Sequence, residues 1–357
     1  MHDSSFIADP STIVADLRPL DAIGVDTEFV REKTYYAQLC LVQLASPGEV
    51  WCVDPLVEED MAGFWEEACS HTWVVHSARQ DLEVVYQSSG RMPASLFDTQ
   101  IAAALLGMAP QLGYAGLVSE LFFVELPKSH TRADWSQRPL PEALLQYAVE
   151  DVEYLLPAYE ELAARLDARG RLEWARQDSA LLLQPSLYTI DAAQAAERLK
   201  GARNLRGPAR GAAARLAAWR ESEAIRRNRP RQWILRDSAL LAVATARPGS
   251  MQELRRIDGL PDKFVQRAGR ELLDAVAGRG GDVDLPPAMP APDEQQKALL
   301  RELQAAVVDC AQDLGVNAEI LASRKELSAV ILYGRTDSRV FTDWRREIIG
   351  DRLLAML

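Results

Sequence analysis

The apolar positions between residues 22 and 54 follow a strand pattern. AIGVDTEF is a short apolar run that ends in acids, and AQLCLVQLA is apolar on both faces, which favours a buried strand. A third run, EVWCVDP, ends at Pro55. Residues 58–70 are then patterned as a helix, and TWVVHSA as a further strand.

Helical periodicity dominates from residue 78 onward. We expect helices over 78–88, 98–107, 114–122 and about 141–168, followed by a linker helix over 169–190. Strands first, then helices with a returning strand, are typical of a mixed sheet flanked by helices. The pattern therefore predicts an α/β domain over residues 1–190.

The remainder of the chain has helical patterns only. A compact helical module is expected over 205–283, and the stretch GRGGDVDLPPAMPAPDEQ, rich in glycine and proline, is a predicted linker. A second all-helical segment is expected over 293–357. Its predicted helices are 294–313, 317–322, 324–332 and 338–356. The α/β domain is thus expected to be followed by all-α domains.

Composition narrows the class of protein. Hydrophobic residues make up 48% of the 357 residues, which suits buried cores. The sequence contains no run of 18 or more apolar residues, so we expect no membrane span. The start MHDSSFIADP does not have the pattern of a secretory signal. The four cysteines form no CxxC pair, which argues against structural zinc. We therefore expect a reducing, cytoplasmic setting.

Charge is distributed unevenly along the chain. Residues 1–190 hold 12 Lys and Arg against 29 Asp and Glu, whereas residues 191–357 hold 28 against 23. Within 203–236 there are ten arginines and two acids. An acidic half can bind divalent cations and a basic module can bind phosphates, although arginines can also merely solvate a helix.

Two pairs of residues suggest chemistry by their spacing. Asp26 and Glu28 are two apart in a strand, so both side chains point to one face, roughly 7 Å apart. Tyr147 and Asp151 are four apart in a helix, one turn from each other on one face. Either pair alone is common in ordinary cores and surfaces.

Asp81 is expected in the first turn of the helix that follows TWVVHSA, with Ser77 as its N-cap. A plain helix-dipole role would explain Asp81 by itself. Taken together, the four carboxylates and Tyr147 suit two hard divalent cations, Mg²⁺ or Mn²⁺, bound through oxygen. Two such ions about 3.5–4 Å apart promote in-line displacement at phosphorus.

Other polar residues have two interpretations each. Asp98 directly precedes a helix and is expected to be its N-cap rather than a fifth metal ligand. His76 could form a structural hydrogen bond or contact substrate. Lys128 and Arg132 could meet substrate phosphates or solvate a loop.

Aromatic residues and arginines provide candidate nucleic-acid contacts. One of Phe29, Tyr35 and Tyr36 could stack on a terminal base, although packing is equally consistent with each. Trp219 and Trp233 stand at apolar positions of the basic module and are expected in its core. Four arginines surround a turn and are candidate phosphate contacts: Arg226, Arg227, Arg229 and Arg231.

The motifs resemble those of a known family. VDTEFVREKTYYAQLCLVQLA, HSARQDLEVV, FDTQIAAALLG and RADWSQRPLPEALLQYAVEDVEYLL are similar to the motifs of the DEDD exonucleases whose third motif carries tyrosine, and to ribonuclease D in particular. LAAWRESEAIRRNRPRQWILRDSALLAVA and PGSMQELRRIDGLP resemble the helicase-and-ribonuclease-D C-terminal (HRDC) domain, and ILASRKELSAVI resembles a diverged second copy.

The resemblance implies a fold and a set of roles. The first domain would have a ribonuclease H-like mixed sheet. Asp26, Glu28 and Asp151 would hold one metal ion and its water, Asp26 would bridge to a second ion served by Asp81, and Tyr147 would orient or help to deprotonate the attacking water.

The expected function is metal-dependent 3′→5′ hydrolysis of RNA that releases nucleoside 5′-monophosphates. The resemblance implies tRNA precursors and other small structured RNAs as substrates, without an obligate protein partner. Two alternatives stay open from the sequence: a 3′→5′ DNA exonuclease, and a non-catalytic RNA-binding adaptor on an inactive nuclease fold. The recognition of a 2′-OH, which separates RNA from DNA, cannot be assigned to any residue.

Overall fold

The computed structural model describes residues 7–58, 60–127, 133–189, 192–278, 292–334 and 337–357. Among these residues, those of 1–30, 39–188 and 290–357 form one compact unit, and those of 31–38 and 189–289 form a second. Most of the predicted glycine- and proline-rich linker lies outside the described residues. No helix in the described ranges is both long and apolar enough to cross a bilayer.

The first unit is built on a five-stranded sheet of order β3-β2-β1-β4-β5. The strands are β1 (Ala22–Val30), β2 (Gln38–Ser46), β3 (Glu49–Val53), β4 (Thr72–Val75) and β5 (Ser95–Asp98). β1 pairs with β4 and β4 with β5 in parallel, whereas β2 and β3 are antiparallel. The predicted mixed sheet is confirmed.

Helices surround this sheet. Those before residue 190 are α1 (Pro10–Leu17), α2 (Ala62–Ala68), α3 (Arg79–Ser89), α4 (Thr99–Leu105), α5 (Tyr114–Phe122), α6 (Glu142–Glu153), α7 (Leu155–Asp167) and α8 (Leu172–Ala180). Three short 3₁₀ segments, 181–183, 185–187 and 192–198, follow α8.

The helix predicted over about 141–168 is two helices, α6 and α7, which meet at Tyr154. Pro157, in the first turn of α7, has no N–H to donate to the carbonyl one turn earlier, so an unbroken helix would lose a hydrogen bond there. The amide of Tyr154 instead donates to the hydroxyl oxygen of Tyr114 at 3.0 Å. The continuous helix was therefore the wrong prediction.

The helix predicted as a linker, α8, packs into the first unit. Its Ala175 and Ser179 are fully buried, and the Ser179 hydroxyl accepts a hydrogen bond from the amide of Asp98 at 3.0 Å. A surface linker would leave these positions exposed to water. α8 therefore extends the α/β core.

The C-terminal helices belong to this same unit. They are α14 (Glu294–Leu314), α15 (Ala318–Leu321), α16 (Arg324–Tyr333), α17 (Asp343–Arg345) and α18 (Asp351–Leu354), and the last two enclose a π-helical turn at 346–350. Trp344 stacks on Trp174 of α8 with 4.3 Å between the ring centroids. Arg345 binds Asp178 through two hydrogen bonds of 2.5 and 2.7 Å. Apolar side chains of these helices share one core with those of α4 and α7.

The second unit contains the remaining helices. They are α9 (Gly207–Arg227), α10 (Arg231–Ile234), α11 (Asp237–Ala246), α12 (Met251–Leu254) and α13 (Asp262–Ala277), preceded by a 3₁₀ turn at 202–204. Its core consists of small and aliphatic side chains such as Leu216, Leu240 and Leu272. We call this set of helices, 207–277, the helical module.

Candidate active site

Three carboxylates meet at one place in the first unit. Asp26 and Glu28 project from β1, and Asp151 projects from the third turn of α6. One oxygen of each lies within 4.8 Å of the others. The two-residue spacing in a strand and the position of α6 against β1 bring these oxygens together.

The carboxylates line a cavity of about 290 Å³. Asp81, in the first turn of α3, also lines it, but its Oδ1 accepts a 2.6 Å hydrogen bond from the Thr27 hydroxyl. All five residues predicted to carry the chemistry, Tyr147 included, thus border one cavity. The Thr27 hydroxyl therefore restrains the orientation of Asp81.

Burial and nearby negative charge destabilise the ionised form of all four acids. Burial, followed by the charge of Asp81, Asp151 and Glu28, holds the pKa of Asp26 well above its usual range. Burial and the neighbouring acids raise the pKa of Glu28 to about 8. Burial also raises the pKa of Asp81 to about 7 and that of Asp151 to about 6. Among the described residues that line the cavity, none is a lysine or an arginine that would neutralise them.

Tyr147 lies one turn before Asp151 on α6 and donates its hydroxyl hydrogen to that carboxylate. Its ring packs near Trp135, with 6.1 Å between centroids. Burial and the charge of Asp151 raise the pKa of the phenol, so it stays protonated at neutral pH. The four-residue spacing thus places a hydroxyl beside the carboxylate cluster, as predicted.

Two contacts fix α6 and α7 against the sheet. Arg138, just before α6, binds Asp54 at the end of β3 through bonds of 2.5 and 2.6 Å, and also donates to the carbonyl of Cys40. Gly24 allows α7 to approach β1 closely, because a Cβ there would lie 3.2 Å from the Cβ of Leu155. The helix that carries Asp151 is therefore anchored on both sides.

The N-cap of α3 differs from the prediction. Ser77 has a left-handed backbone with φ of 63°, and the helix starts after Ala78 without a side-chain cap. The amides of Ser77 and Ala78 donate to the carboxylate of Asp98 at 3.1 and 2.9 Å. Asp98 also caps α4 by accepting from the amide of Gln100 at 2.8 Å, as predicted. The Ser77 prediction is wrong because a neighbouring strand supplies the acceptor.

His76 lines the cavity, but both of its ring nitrogens are used within the protein. Nδ1 is 2.9 Å from the Thr99 hydroxyl, and Nε2 is 2.9 Å from the carbonyl of Leu112. Burial lowers the pKa of His76, which favours a neutral ring that donates to Leu112. The structural interpretation of His76 is the one these contacts favour.

Comparison with known proteins places this site in a family. A family model described as 3′-5′ exonuclease matches residues 5–167, and an HRDC domain model matches residues 209–276. Ribonuclease D of Gluconacetobacter diazotrophicus is 38% identical over 98% of this chain and 90% of its own length. Ribonuclease D of Pseudomonas paraeruginosa is 36% identical over 94% of this chain and 92% of its own.

The chain belongs to the ribonuclease D family. The crystal structure of Escherichia coli RNase D, described as an exoribonuclease involved in structured RNA processing, matches with a TM-score of 0.87 and 30% identity over 98% of this chain and 96% of that one. The resemblance seen in the sequence motifs and the predicted fold class are both confirmed.

As a member of the ribonuclease D family, the protein is a metal-dependent 3′→5′ exoribonuclease. The exonuclease match covers β1 to α7, which contain the carboxylate cluster, and the cluster's composition indicates that divalent metal is used. A DNA exonuclease and a non-catalytic adaptor are not favoured, because the named relatives are ribonucleases.

The residues predicted to contact substrate outside the carboxylate cluster have different surroundings from one another. Lys128 and Arg132 lie outside the described residues. In the second unit, Arg226 and Arg227 are both paired with Glu223, at 2.8 and 2.6 Å. Arg231 is paired with the buried Glu221 at 2.7 Å. Arg229 instead places its guanidinium 5.9 Å from the centre of the Trp233 ring.

The aromatic residues that were candidates for base stacking lie in different places. Phe29 lines the catalytic cavity. Tyr35 is buried in the second unit, where its hydroxyl donates to Glu221 and its amide to Asn228. Trp219 packs against the core of the helical module, but Trp233 is 59% exposed, so the prediction that Trp233 is a core residue is wrong.

Thr27 and Tyr114 are two of the cavity-lining residues that the sequence did not predict. Thr27 lies between Asp26 and Glu28 in the strand, so its side chain was expected on the opposite face. Its hydroxyl nevertheless donates a hydrogen bond to Asp81. Tyr114 at the start of α5 lines the cavity and supports the junction at Tyr154. The position of Thr27 between two acids was a usable signal, whereas nothing local in the sequence marks Tyr114.

Proposed function

We propose that this enzyme trims the 3′ ends of tRNA precursors and other small structured RNAs, releasing nucleoside 5′-monophosphates. The observation that carries the proposal is the meeting of Asp26, Glu28 and Asp151 oxygens within 4.8 Å in one cavity. The Escherichia coli relative, which is described as involved in structured RNA processing, supports the substrate class.

The donor set of the cavity fits two divalent ions, Mg²⁺ or Mn²⁺, held by Asp26, Glu28, Asp81 and Asp151. All the ligand atoms are oxygens, which these cations prefer. The pKa values of all four carboxyl groups are raised, so their ionised forms are unfavourable unless a cation binds between them. When bound, such ions stabilise the charge of an in-line phosphoryl displacement and lower the pKa of the attacking water.

The protein side chains have complementary roles in this proposal. Asp26 and Glu28 are fixed by the strand, and Asp81 is held by Thr27 at 2.6 Å, so the donors are positioned before substrate binds. We assign to the Tyr147 hydroxyl, which donates to Asp151, the role of orienting the attacking water. Phe29, at the wall of the cavity, is the candidate that could stack on the terminal base.

Lys128 and Arg132, which precede α6 in the sequence, keep their proposed role as phosphate contacts. His76 is proposed as a wall of the cavity, because its nitrogens already bind Thr99 and Leu112.

We also propose that the helical module binds RNA. Four arginines were the first candidates: Arg226, Arg227, Arg229 and Arg231. Glu223 pairs with Arg226 and Arg227, and Glu221 pairs with Arg231. These three arginines therefore attract a phosphate less strongly than an unpaired arginine would. Arg229, which lies over Trp233, is the member that we retain as a principal contact.

A reducing, cytoplasmic setting is part of the proposal. Cys40, Cys52 and Cys69 are buried free thiols, and burial raises the pKa of each, which keeps them unreactive.

The experiment is digestion of a 5′-labelled tRNA precursor that carries a single-stranded 3′ extension, beside RNA and DNA strands of the extension's sequence. We expect stepwise loss of the extension, release of nucleoside 5′-monophosphates and arrest near the folded body. Equal rates on DNA and RNA, or cuts inside the tRNA body, would contradict the proposed substrate class.

A further inference from the structure

The helical module contains a cavity of about 560 Å³ that is distinct from the catalytic one. It lies between α10, the start of α11 and the start of α13. Its lining includes the aromatic rings of Trp233 and Phe264, the buried Leu235 and Leu260, and Arg236. Its volume is in the range of about 300–1,000 Å³ that is usual for small-ligand sites.

Trp233 is exposed on the surface of the helical module. On the one-turn helix α10, its neighbour Ile234 is buried at 6% exposure, whereas Trp233 is 59% exposed. The guanidinium of Arg229 lies 5.9 Å from the centre of the indole ring. The module therefore presents a large aromatic surface to water without using it in its own core.

Three exposed arginines lie around this aromatic surface. Arg236 lines the cavity, and the guanidinium of Arg267 lies 5.6 Å from the ring centre of Phe264. Arg229, Arg236 and Arg267 are exposed, and none of the three forms an ion pair with another described residue. This contrasts with the paired arginines at 226, 227 and 231.

Three acids are adjacent in the chain to residues that line the cavity: Asp237, Asp258 and Asp262. No acid is among the described residues that line it. Asp237, the neighbour of Arg236, is bound by the buried Arg220 at 2.6 Å. The site combines aromatic rings with exposed guanidinium groups, which is the combination that binds a nucleobase face and a phosphate at the same time.

We propose that this cavity binds an unpaired nucleotide of the RNA, with its base stacked on Trp233 and its phosphate held by Arg236 and Arg229. This inference rests on the proposed RNA binding by the module. An apolar peptide would use the rings but not the arginines, and a duplex would offer phosphates but no free base. A single-stranded stretch of RNA uses both features.

The test measures binding of a labelled single-stranded RNA to the full chain by fluorescence anisotropy, with a chelator present to prevent hydrolysis. Trp233→Ala should weaken binding by about 5- to 150-fold, because stacking on one aromatic residue contributes that much per base. Trp233→Phe should restore most of the affinity. Arg236→Ala should weaken binding and lower the salt slope by about 0.7, the value for one single-strand phosphate contact.

A matched control is Arg256→Ala, because Arg256 is another exposed arginine of the module that does not line the cavity. It removes the same net charge and should change affinity much less than Arg236→Ala does. The turnover of Arg256→Ala at saturating RNA, with Mg²⁺ present, should equal that of the wild type, since Arg256 lines neither this cavity nor the catalytic one.

The outcomes separate the two proposals. If the wild type binds and trims RNA while Trp233→Ala binds it as tightly as the wild type, the nucleotide site is wrong and the proposed function stands. Equal losses for Arg236→Ala and Arg256→Ala would mean that only diffuse charge attracts RNA, and would overturn the site as well. If the wild type neither binds nor trims RNA, the proposed function itself fails.

Discussion

The hydroxyl of Thr27 donates a 2.6 Å hydrogen bond to Oδ1 of Asp81, which is 54 residues later in the chain. Thr27 lies between Asp26 and Glu28 on β1, so one strand supplies two carboxylates and also orients a third on α3. This bond restrains Asp81 while its buried carboxyl has a pKa raised to about 7. Strand β1 therefore determines the positions of three of the four carboxylates.

Thr27→Val tests this positioning role, because valine keeps the shape of threonine and lacks the hydroxyl. We expect turnover or apparent Mg²⁺ affinity to fall by about 10- to 100-fold, as for other groups that orient a metal ligand. The measurement is the rate of RNA hydrolysis as a function of Mg²⁺ concentration. Thr27→Ser, which keeps the hydroxyl, should behave like the wild type. A wild-type Mg²⁺ dependence for the valine variant would show that the bond is incidental.

The metal-free protein should become less stable as pH rises. The folded state raises the pKa of Glu28 to about 8 and of Asp81 to about 7, whereas carboxyls of an unfolded chain titrate near 4. The folded state therefore binds more protons in this window, and the free energy of unfolding falls between about pH 4 and pH 8. Denaturant titrations in chelator at several pH values measure this.

Asp26→Asn is the matched variant for that series, since it removes one charge from the cluster. In chelator near pH 8 it should be more stable than the wild type, and the difference should disappear toward pH 4. Added Mg²⁺ should stabilise the wild type more than the variant, because ligand binding to the native state stabilises it. A metal-free Asp26→Asn protein less stable than the wild type near pH 8 would refute the mutual repulsion of these acids.

Tyr147→Phe tests the hydroxyl beside Asp151. The variant keeps the ring and its packing near Trp135, so the fold should be unaffected. If the hydroxyl orients or helps to deprotonate water, the single-turnover rate should fall by about 10²- to 10⁴-fold at unchanged RNA affinity. An unchanged single-turnover rate would assign Tyr147 to structure alone.

The sequence was sufficient for features that depend on local spacing. The two-residue spacing of Asp26 and Glu28 and the four-residue spacing of Tyr147 and Asp151 predicted shared faces, and the structure brings all four to one cavity. Spacing also held an unused signal: Glu223 is three and four residues before Arg226 and Arg227, which is the spacing of helical ion pairs.

Other features depend on contacts that local spacing does not contain. A one-turn helix such as α10 has too few residues for a hydrophobic period, so the sequence could not tell whether Trp233 or Ile234 faces inward. The amphipathic C-terminal helices revealed an apolar face but not its partner, which is the core containing α4 and α7. The acceptor for the start of α3 is Asp98 of another strand, which no local capping rule identifies.

We expect that replacing Phe123 by glycine stabilises the protein. It ends α5 with a left-handed φ of 58°, and its side chain is 91% exposed, so the ring gains almost no burial to offset the backbone strain. Phe123→Gly should raise the free energy of unfolding by about 1 kcal/mol, because glycine adopts this conformation without a Cβ clash. Phe123→Ala keeps the strain and should change stability less. Destabilisation by glycine, measured by denaturant titration, would show that the Phe123 ring contributes to the fold.

The central claim is that the carboxylate cluster of Asp26, Glu28, Asp81 and Asp151 performs metal-dependent hydrolysis from the 3′ end of RNA. The most direct measurement follows a 5′-labelled single-stranded RNA through time with wild type and Asp26→Asn, each with Mg²⁺ and with chelator. We predict one-nucleotide shortening by the wild type with Mg²⁺, none in chelator, and a rate lower by orders of magnitude for Asp26→Asn. Wild-type rates for the variant, or shortening that persists in chelator, would contradict the account.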